Sequence, residues 1–433
     1  MGFCMPLRNK LGKLILSSCF VVAVDCYGAI DSEISVGTSG RWTDNVYFDA
    51  DDQRNDVLGE ASVNIAVSSI EEVTEFQLGY LITHENYLRD SFGNDNYVQG
   101  TGALNVHLLP SQLFWKSEIE SEITRRDSTS VDVPANRDQR NFARTGLEYV
   151  SFLSARDQLL FNPYVSGTRF KQATYNNGNR VGLVVDWNHS LSPLMSAGLG
   201  CDGQKVDFSD GDGDYDTVRC NVSVSRRLNG GNLEVDLGQR KVNPEGGESF
   251  DGVAYSAAMT LVKEPHEFGV LLSRDIQDNT ESLFSRDFVG GEGPIEINTD
   301  FKSLSIRKRF EIQYAYVFSS VQQFELVAYL DSDDVYKSRL DTDRTGVDAV
   351  FTRSITPQLE ARLQYSFVKT EFADGTADQT VNYDDLYRIL INKIFSKQFE
   401  AYAAIEAEKR RAESDLQGYE AYSAELGIVY TFK

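Results

Sequence analysis

From residue 29 to the end of the chain, apolar side chains return at every second position, and no helical period competes with that pattern. Alternation of this kind places one set of side chains on one face of an extended strand and the intervening set on the other. The segment YSAELGIVYTFK shows it in full, with Tyr422, Ala424, Leu426, Ile428, Tyr430 and Phe432 on one face and Ser423, Glu425, Gly427 and Thr431 on the other. LEVDLGQR, TVRCNVSVS and QLEARLQYSF follow the same rule. No stretch carries the long apolar run of a membrane helix.

The breaks between these segments alternate in length. Short ones, such as LPSQ at Pro110, LSP at Pro193, LNGG at Gly230, KEPH at Pro265, ITPQ at Pro357 and FSKQ at Ser396, are separated by longer polar ones. The longer ones include FDADDQRND, RRDSTSVDVPANRDQ, SDGDGDYD and the stretch from Asp278 to Asn298. Short turns at one end and long loops at the other are the mark of a barrel in an outer membrane, and the segments number about 18–20. The segment Thr299 to Phe318 reads as one long strand.

The polar face separates a barrel from a soluble sandwich. Glu118, Glu120 and Glu122 share a face, as do Arg307, Arg309 and Glu311, then Glu360 and Arg362, and then Glu400, Glu406 and Glu408. A dry core could not hold such rows unpaired, whereas a wet lumen can. The opposite face holds aromatics near strand ends, and 21 Tyr with 25 Phe are enough for two interfacial girdles. Lys308, which alternates with the lumen arginines beside Phe310, Ile312 and Tyr314, belongs at the outer interface, where a cation meets lipopolysaccharide phosphate. The fold class expected is therefore all-β, a transmembrane antiparallel up-and-down β-barrel of the outer membrane.

Export is written into residues 1–28. Arg8, Lys10 and Lys13 precede the apolar LILSSCFVVAV, and a small-residue exit follows at Gly28, the layout of a cleaved signal peptide. The apolar run is too short to cross a hydrocarbon core of roughly 30 Å. Two units follow: the leader, 1–28, and one barrel domain, 29–433. Cleavage removes those three cations together with Asp25, moving the net charge from −23 to −25. So acidic a chain offers no basic face for nucleic acid. Cys4, Cys19 and Cys26 leave with the leader, and Cys201 and Cys220 remain as a pair in an oxidising compartment.

SDGDGDYD places Asp210, Asp212, Asp214 and Asp216 on alternate positions, a candidate divalent-cation site. An EF-hand-type loop counted from Asp210 would need glycine at Tyr215 and glutamate at Asn221, and fails at both. The competing reading is a hairpin tip. With its centre between Asp210 and Gly211, Cys201 and Cys220 are equidistant from it, face one another and are candidates for a cross-strand disulfide. Four histidines, His84, His107, His189 and His266, and the lack of a nucleophile-elbow pattern argue against an enzyme. No cofactor is implied.

Gly427, Tyr430 and Phe432 fit a glycine-x-x-aromatic-x-aromatic pattern that resembles the carboxy-terminal barrel-assembly signal of outer-membrane proteins. SGRWTDNVYFDADDQRNDVLGEASVNIAV, with FQLGYLITHENYLRD and NVHLLPSQLFWKSEIESEI after it, resembles the outer-membrane β-barrel porins encoded with exopolysaccharide and exosortase (PEP-CTERM-type) systems of Gram-negative bacteria. The resemblance centres on TDNVYF, Thr43 to Phe48, and the acidic loop behind it. It implies a Gram-negative outer-membrane location and an association with exopolysaccharide export or a surface-polysaccharide system, and brings no catalytic residues. The partners expected are outer-membrane lipids and lipopolysaccharide, the barrel-assembly machinery, and exopolysaccharide or its export components. The function expected is a porin-like channel. The alternative is a non-conducting surface or adhesion scaffold, plugged by a loop such as Asp278 to Asn298 with Gly290, Gly291 and Gly293. An acidic lumen favours cations or neutral solutes, with Arg307, Arg309 and Arg362 balancing it locally.

Overall fold

A computed structural model describes residues 30–126, 130–211, 213–278, 304–335, 341–373, 379–413 and 418–432. The expected leader lies outside them. Twenty strands form one sheet. They are β1 (Asp31–Thr43), β2 (Asp56–Ile70), β3 (Thr74–Tyr87), β4 (Asp95–Leu109), β5 (Leu113–Arg125), β6 (Arg137–Phe152), β7 (Asp157–Phe170), β8 (Gly178–Ser192), β9 (Met195–Phe208) and β10 (Tyr215–Leu228). The second half is β11 (Gly231–Pro244), β12 (Phe250–Lys263), β13 (His266–Gln277), β14 (Ser305–Ser319), β15 (Gln322–Val335), β16 (Asp341–Thr356), β17 (Leu359–Ala373), β18 (Gln379–Ile394), β19 (Phe399–Ala412) and β20 (Tyr419–Phe432).

Every strand pairs antiparallel with its chain neighbours, and β20 closes on β1 in a register that sets Gly40 beside Leu426 and Arg41 beside Glu425. The sheet is a closed barrel with no free edge, the arrangement that lets a β-structure satisfy its backbone within lipid. The loops from β1 to β2, β3 to β4 and onward lie at one end, taken as extracellular, and the tight turns at the other. The segment expected to begin at Thr299 enters the described structure at Leu304, and its strand runs from Ser305.

The outward face is apolar through its middle: Leu199, Val222, Leu237, Ile405 and Leu426 are all exposed there. Outward aromatics crowd the periplasmic rim. Tyr316 packs edge-on against Phe318 at 4.5 Å, Tyr430 against Phe432 at 4.9 Å, and His266 lies 4.8 Å from Tyr316. Rings of this type suit the interface between hydrocarbon and water, having an apolar body and a polar tip.

Inside, three tyrosines lie flat on glycines of the neighbouring strand. A Cβ at Gly182 would meet the Tyr164 ring at 2.4 Å, at Gly346 the Tyr329 ring at 2.2 Å, and at Gly427 the Tyr402 ring at 2.4 Å. Only glycine leaves room for such close approach. Each pair fixes the register between two strands by shape.

Candidate functional site

The candidate site is the lumen wall, and strand parity decides which residues belong to it. The structure points Glu118, Glu120 and Glu122 inward from β5, Arg307, Arg309 and Glu311 from β14, Glu360 and Arg362 from β17, and Glu400, Glu406 and Glu408 from β19. Lys308 points outward near the extracellular end, where its Nζ lies 2.7 Å from Asp334 Oδ2.

The extracellular third of the lumen is a ring of arginines held by carboxylates. Arg41 meets Glu425 at 3.1 Å, and Arg140, wholly buried, meets Glu120 at 3.1 Å and Glu122 at 2.5 Å. Across the barrel, Arg307 meets Asp331 at 2.8 Å and Arg410 meets Asp384 at 2.6 Å. Arg219 lies 3.2 Å from Asp275 and also pairs with Asp236, while Arg309 pairs with Glu311. Each arginine sits within five residues of its strand's extracellular end. Arg140 and Arg219 each reach two carboxylates, and Arg307 and Arg410 each grip one carboxylate with two N–H donors, geometry that offsets the cost of desolvating a guanidinium.

Toward the periplasm the balance changes. Glu118, Glu148, Asp186, Glu234, Glu360 and Glu406 face inward there, and the cations on inward positions are fewer: Lys116, 2.8 Å from Glu148, Arg388, 3.8 Å from Glu406, Arg362 on the face of Glu360, and Arg227 at the end of β10. Arg144, at mid-depth, stacks on Tyr164 with its guanidinium carbon 3.8 Å from the ring centroid. The acidic lumen expected from sequence, with arginines balancing it locally, resolves into two zones: a paired one at the extracellular end and an acidic one below it. Sequence reading had not singled out Arg41, Arg140, Arg219, Arg240, Asp331 or Arg410. Their signal was present: each occupies the same alternate positions as the acids already recognised.

One hairpin leaves the wall. Pairing between β12 and β13 stops at Tyr255 and Arg274, although β12 continues upward to Phe250 beside β11 and β13 continues to Gln277 beside β14. Above that point the β13–β14 tip leans into the barrel. Ile276 and Leu304 pack on the inward residues Val206, Phe208, Tyr215 and Val242, an apolar cluster in an otherwise charged lumen. Arg240 donates to the Ile276 carbonyl at 2.9 Å, and Asp278 reaches Tyr215 Oη at 2.5 Å and the Arg180 guanidinium. Asp278, the first residue of the loop expected to fold inward, is therefore buried inside the barrel; residues 279–298 lie outside the described structure. A second intrusion comes from the β5–β6 loop, where Arg137 lies 2.8 Å from Asp132 and 3.3 Å from Glu85.

The remaining candidates fall elsewhere. Cys201 and Cys220 are exact register partners on the outward face, with Cα atoms 4.1 Å apart, and are joined as a disulfide. Of the alternating aspartates, Asp214 turns inward to accept the Phe208 amide at 2.6 Å, Asp216 points outward, Asp210 is exposed, and Asp212 lies outside the described residues. Among the described residues, which exclude Asp212, no group able to hold a metal ion forms, and the described aspartates sit on a hairpin tip with Asp214 and Asp216 on opposite sides of the sheet. Gly427 faces the lumen while Tyr430 and Phe432 face outward. The histidines meet no nucleophile. His84 bonds Asn96 at 2.9 Å, His107 is 3.3 Å from Asn105, and His266 bonds Tyr314 at 2.9 Å. His189 bonds Asp157 at 2.8 Å, and Ser154 bonds the same carboxylate at 2.5 Å. There the acid stands between imidazole and hydroxyl, the wrong order for nucleophilic activation.

A closed barrel of twenty antiparallel strands with an apolar outer band and a charged lumen defines an outer-membrane β-barrel. No protein-family model and no curated protein matches the chain. Among solved structures it is similar to a variant of the ferric enterobactin receptor PfeA of Pseudomonas aeruginosa, with TM-score 0.50 and 8% identity over 94% of this chain and 81% of that one. It is also similar to the FrpB iron transporter from Neisseria meningitidis, with TM-score 0.47 and 10% identity over 94% and 83%, and to OpdL from Pseudomonas aeruginosa, with 0.42 and 12% over 93% and 98%. At these identities the likeness speaks to fold alone, and the fold is that of the Gram-negative outer membrane.

Proposed function

We propose that this barrel is a channel for hydrophilic solutes that works with a surface-polysaccharide system, its extracellular third acting as an ion-paired filter above an acidic periplasmic vestibule. The observation that carries the reading is the lumen wall. A wall of paired arginines and carboxylates is wasteful in a packed core, and is at home beside water that the pairs order and through which solutes pass. Excess carboxylate below the filter raises the local concentration of cations and lowers that of anions. The link to exopolysaccharide rests on the resemblance carried by TDNVYF and its following loop. Hydroxyl-rich chains suit such a wall, since paired ions still offer lone pairs and N–H groups to a neutral sugar.

The test is single-channel recording in planar bilayers under a salt gradient. Discrete, cation-selective conductance is expected, interrupted by exopolysaccharide fragments from the producing cell. A folded barrel without conductance would overturn the channel. Conductance blind to the fragments, together with unchanged polysaccharide release after gene deletion, would overturn the polysaccharide link alone. A second reading, a barrel closed by its own chain, draws on the inward β13–β14 tip; it predicts conductance only when that tip is loosened.

A further inference from the structure

Charge is distributed unevenly around the outer surface. On β7 and on every strand from β9 to β20, at least one outward residue in the extracellular half is charged, among them Arg169, Lys205, Lys241, Arg274, Lys308 and Lys369. From β1 to β6 the charged residues on outward register positions are Arg125 and Arg137 alone, both at the strand tips, where Arg125 donates to the Ser130 carbonyl and Arg137 turns to Asp132 and Glu85. Apart from those two arginines, the acids and cations of these six strands sit on the inward positions. In place of ions the outer face has neutral groups that both donate and accept. Ser121 donates to Asn141 at 2.9 Å, Trp115 Nε1 donates to Thr145 at 2.8 Å, and Ser117 shares a hydrogen bond with Thr145 at 2.7 Å.

We infer that the β1–β6 sector is the contact face for a second copy of this chain. Headgroups of the outer leaflet carry phosphate, and the cations on the outer wall of β7, β9, β11, β13, β14, β17 and β19 offer them partners; below its tips the outer wall of β1–β6 offers none. Ser117 with Thr145 and Ser121 with Asn141 are paired within the wall, yet each keeps further donor or acceptor capacity that hydrocarbon leaves unused and a protein contact can meet. Two identical faces meet without a like-charge clash only when they are neutral, which makes this face fit for the self-complementary contact of a two-fold dimer. Six strands spaced about 4.8 Å apart and an apolar band about 25 Å tall present roughly 700 Å² of outer surface, the same order as the roughly 800 Å² per partner of stable complexes. Room for close approach exists at Gly40 and Gly59, outward register partners; a Cβ at Gly40 meets nothing within 4 Å, and at Gly59 only the Asn86 carbonyl at 3.7 Å.

Single-cysteine cross-linking in native outer membranes tests this. Gly59→Cys, treated with a short bis-maleimide, is expected to give a covalent homodimer, while Leu237→Cys on β11 gives none. Asn141→Lys, which sets like charges against each other across the contact, is expected to cut the Gly59→Cys dimer at least five-fold while heat-modifiable gel migration stays that of a folded barrel. Equal cross-linking from Leu237→Cys, a monomer in native mass spectrometry of the detergent-extracted protein, or a Gly59→Cys adduct to a different protein would each overturn the inference.

Discussion

A Cβ at Gly427 would stand 2.4 Å from the Tyr402 ring, so this glycine is required by shape as well as by its place in a carboxy-terminal pattern. Gly427→Val is expected to destabilise the barrel by about 1–3 kcal/mol and to slow assembly. Tyr402→Ala should restore part of the loss in a double-mutant cycle, read from urea unfolding in detergent; strict additivity would mean that the ring and the glycine do not interact. The cysteines allow a simpler check. Mass spectrometry of alkylated protein without reductant is expected to find no modified thiol. In the β1–β2 loop, Asp49 accepts the amides of Asp52 and Asp51 and is held below the ordinary aspartate value by them. A carboxylate depressed in the folded state supports that loop above its unfolded pKa and loses the contribution as pH falls through the folded one. The Asp49 carboxyl should accordingly titrate by NMR below the ordinary aspartate value, and an equal or higher midpoint would contradict the turn.

At the scale of elements, the alternation that revealed the strands also hid the one exception among them. Continuing the β12–β13 register past Arg274 would set Ile276 opposite Val253 on the lipid side, as the period-two pattern suggests. The structure instead turns Ile276 onto the buried cluster inside. A period of two states that one face is apolar, and does not state whether lipid or protein covers it. The inward course depends on Asp278 meeting Arg180 and Tyr215, residues remote in sequence. Asp278→Asn combined with Tyr215→Phe should free the tip, raising mean conductance and hydrogen exchange at β13 residues 274–277; unchanged exchange would show that the apolar contacts suffice to hold it. Arg307, Arg309 and Glu311 could be placed on the wall from sequence because their parity is local. Their partners could not, since the Arg307–Asp331 pair depends on cross-strand register.

For the whole molecule, the separation of a neutralised outer zone from an acidic inner one predicts direction-dependent behaviour. Neutralising Glu118, Glu234 and Glu360 together should lower the cation-to-anion permeability ratio roughly two-fold or more, measured as reversal potential, and the effect should fade as salt screens the wall. No change at low salt would show that the inner carboxylates do not set selectivity. The fold class and the lumen-facing residues follow from alternation, but this zoning arises only when twenty strands are aligned by depth. Closure has a further consequence. The pairing of β1 with β20 joins segments nearly a chain length apart, so a growing polypeptide cannot complete its wall until both are present. Until then, open strand edges and half-exposed apolar faces must be carried across the periplasm in the keeping of escorts. A chain that stalls before β20 is made is therefore a substrate for proteolysis, not a smaller pore.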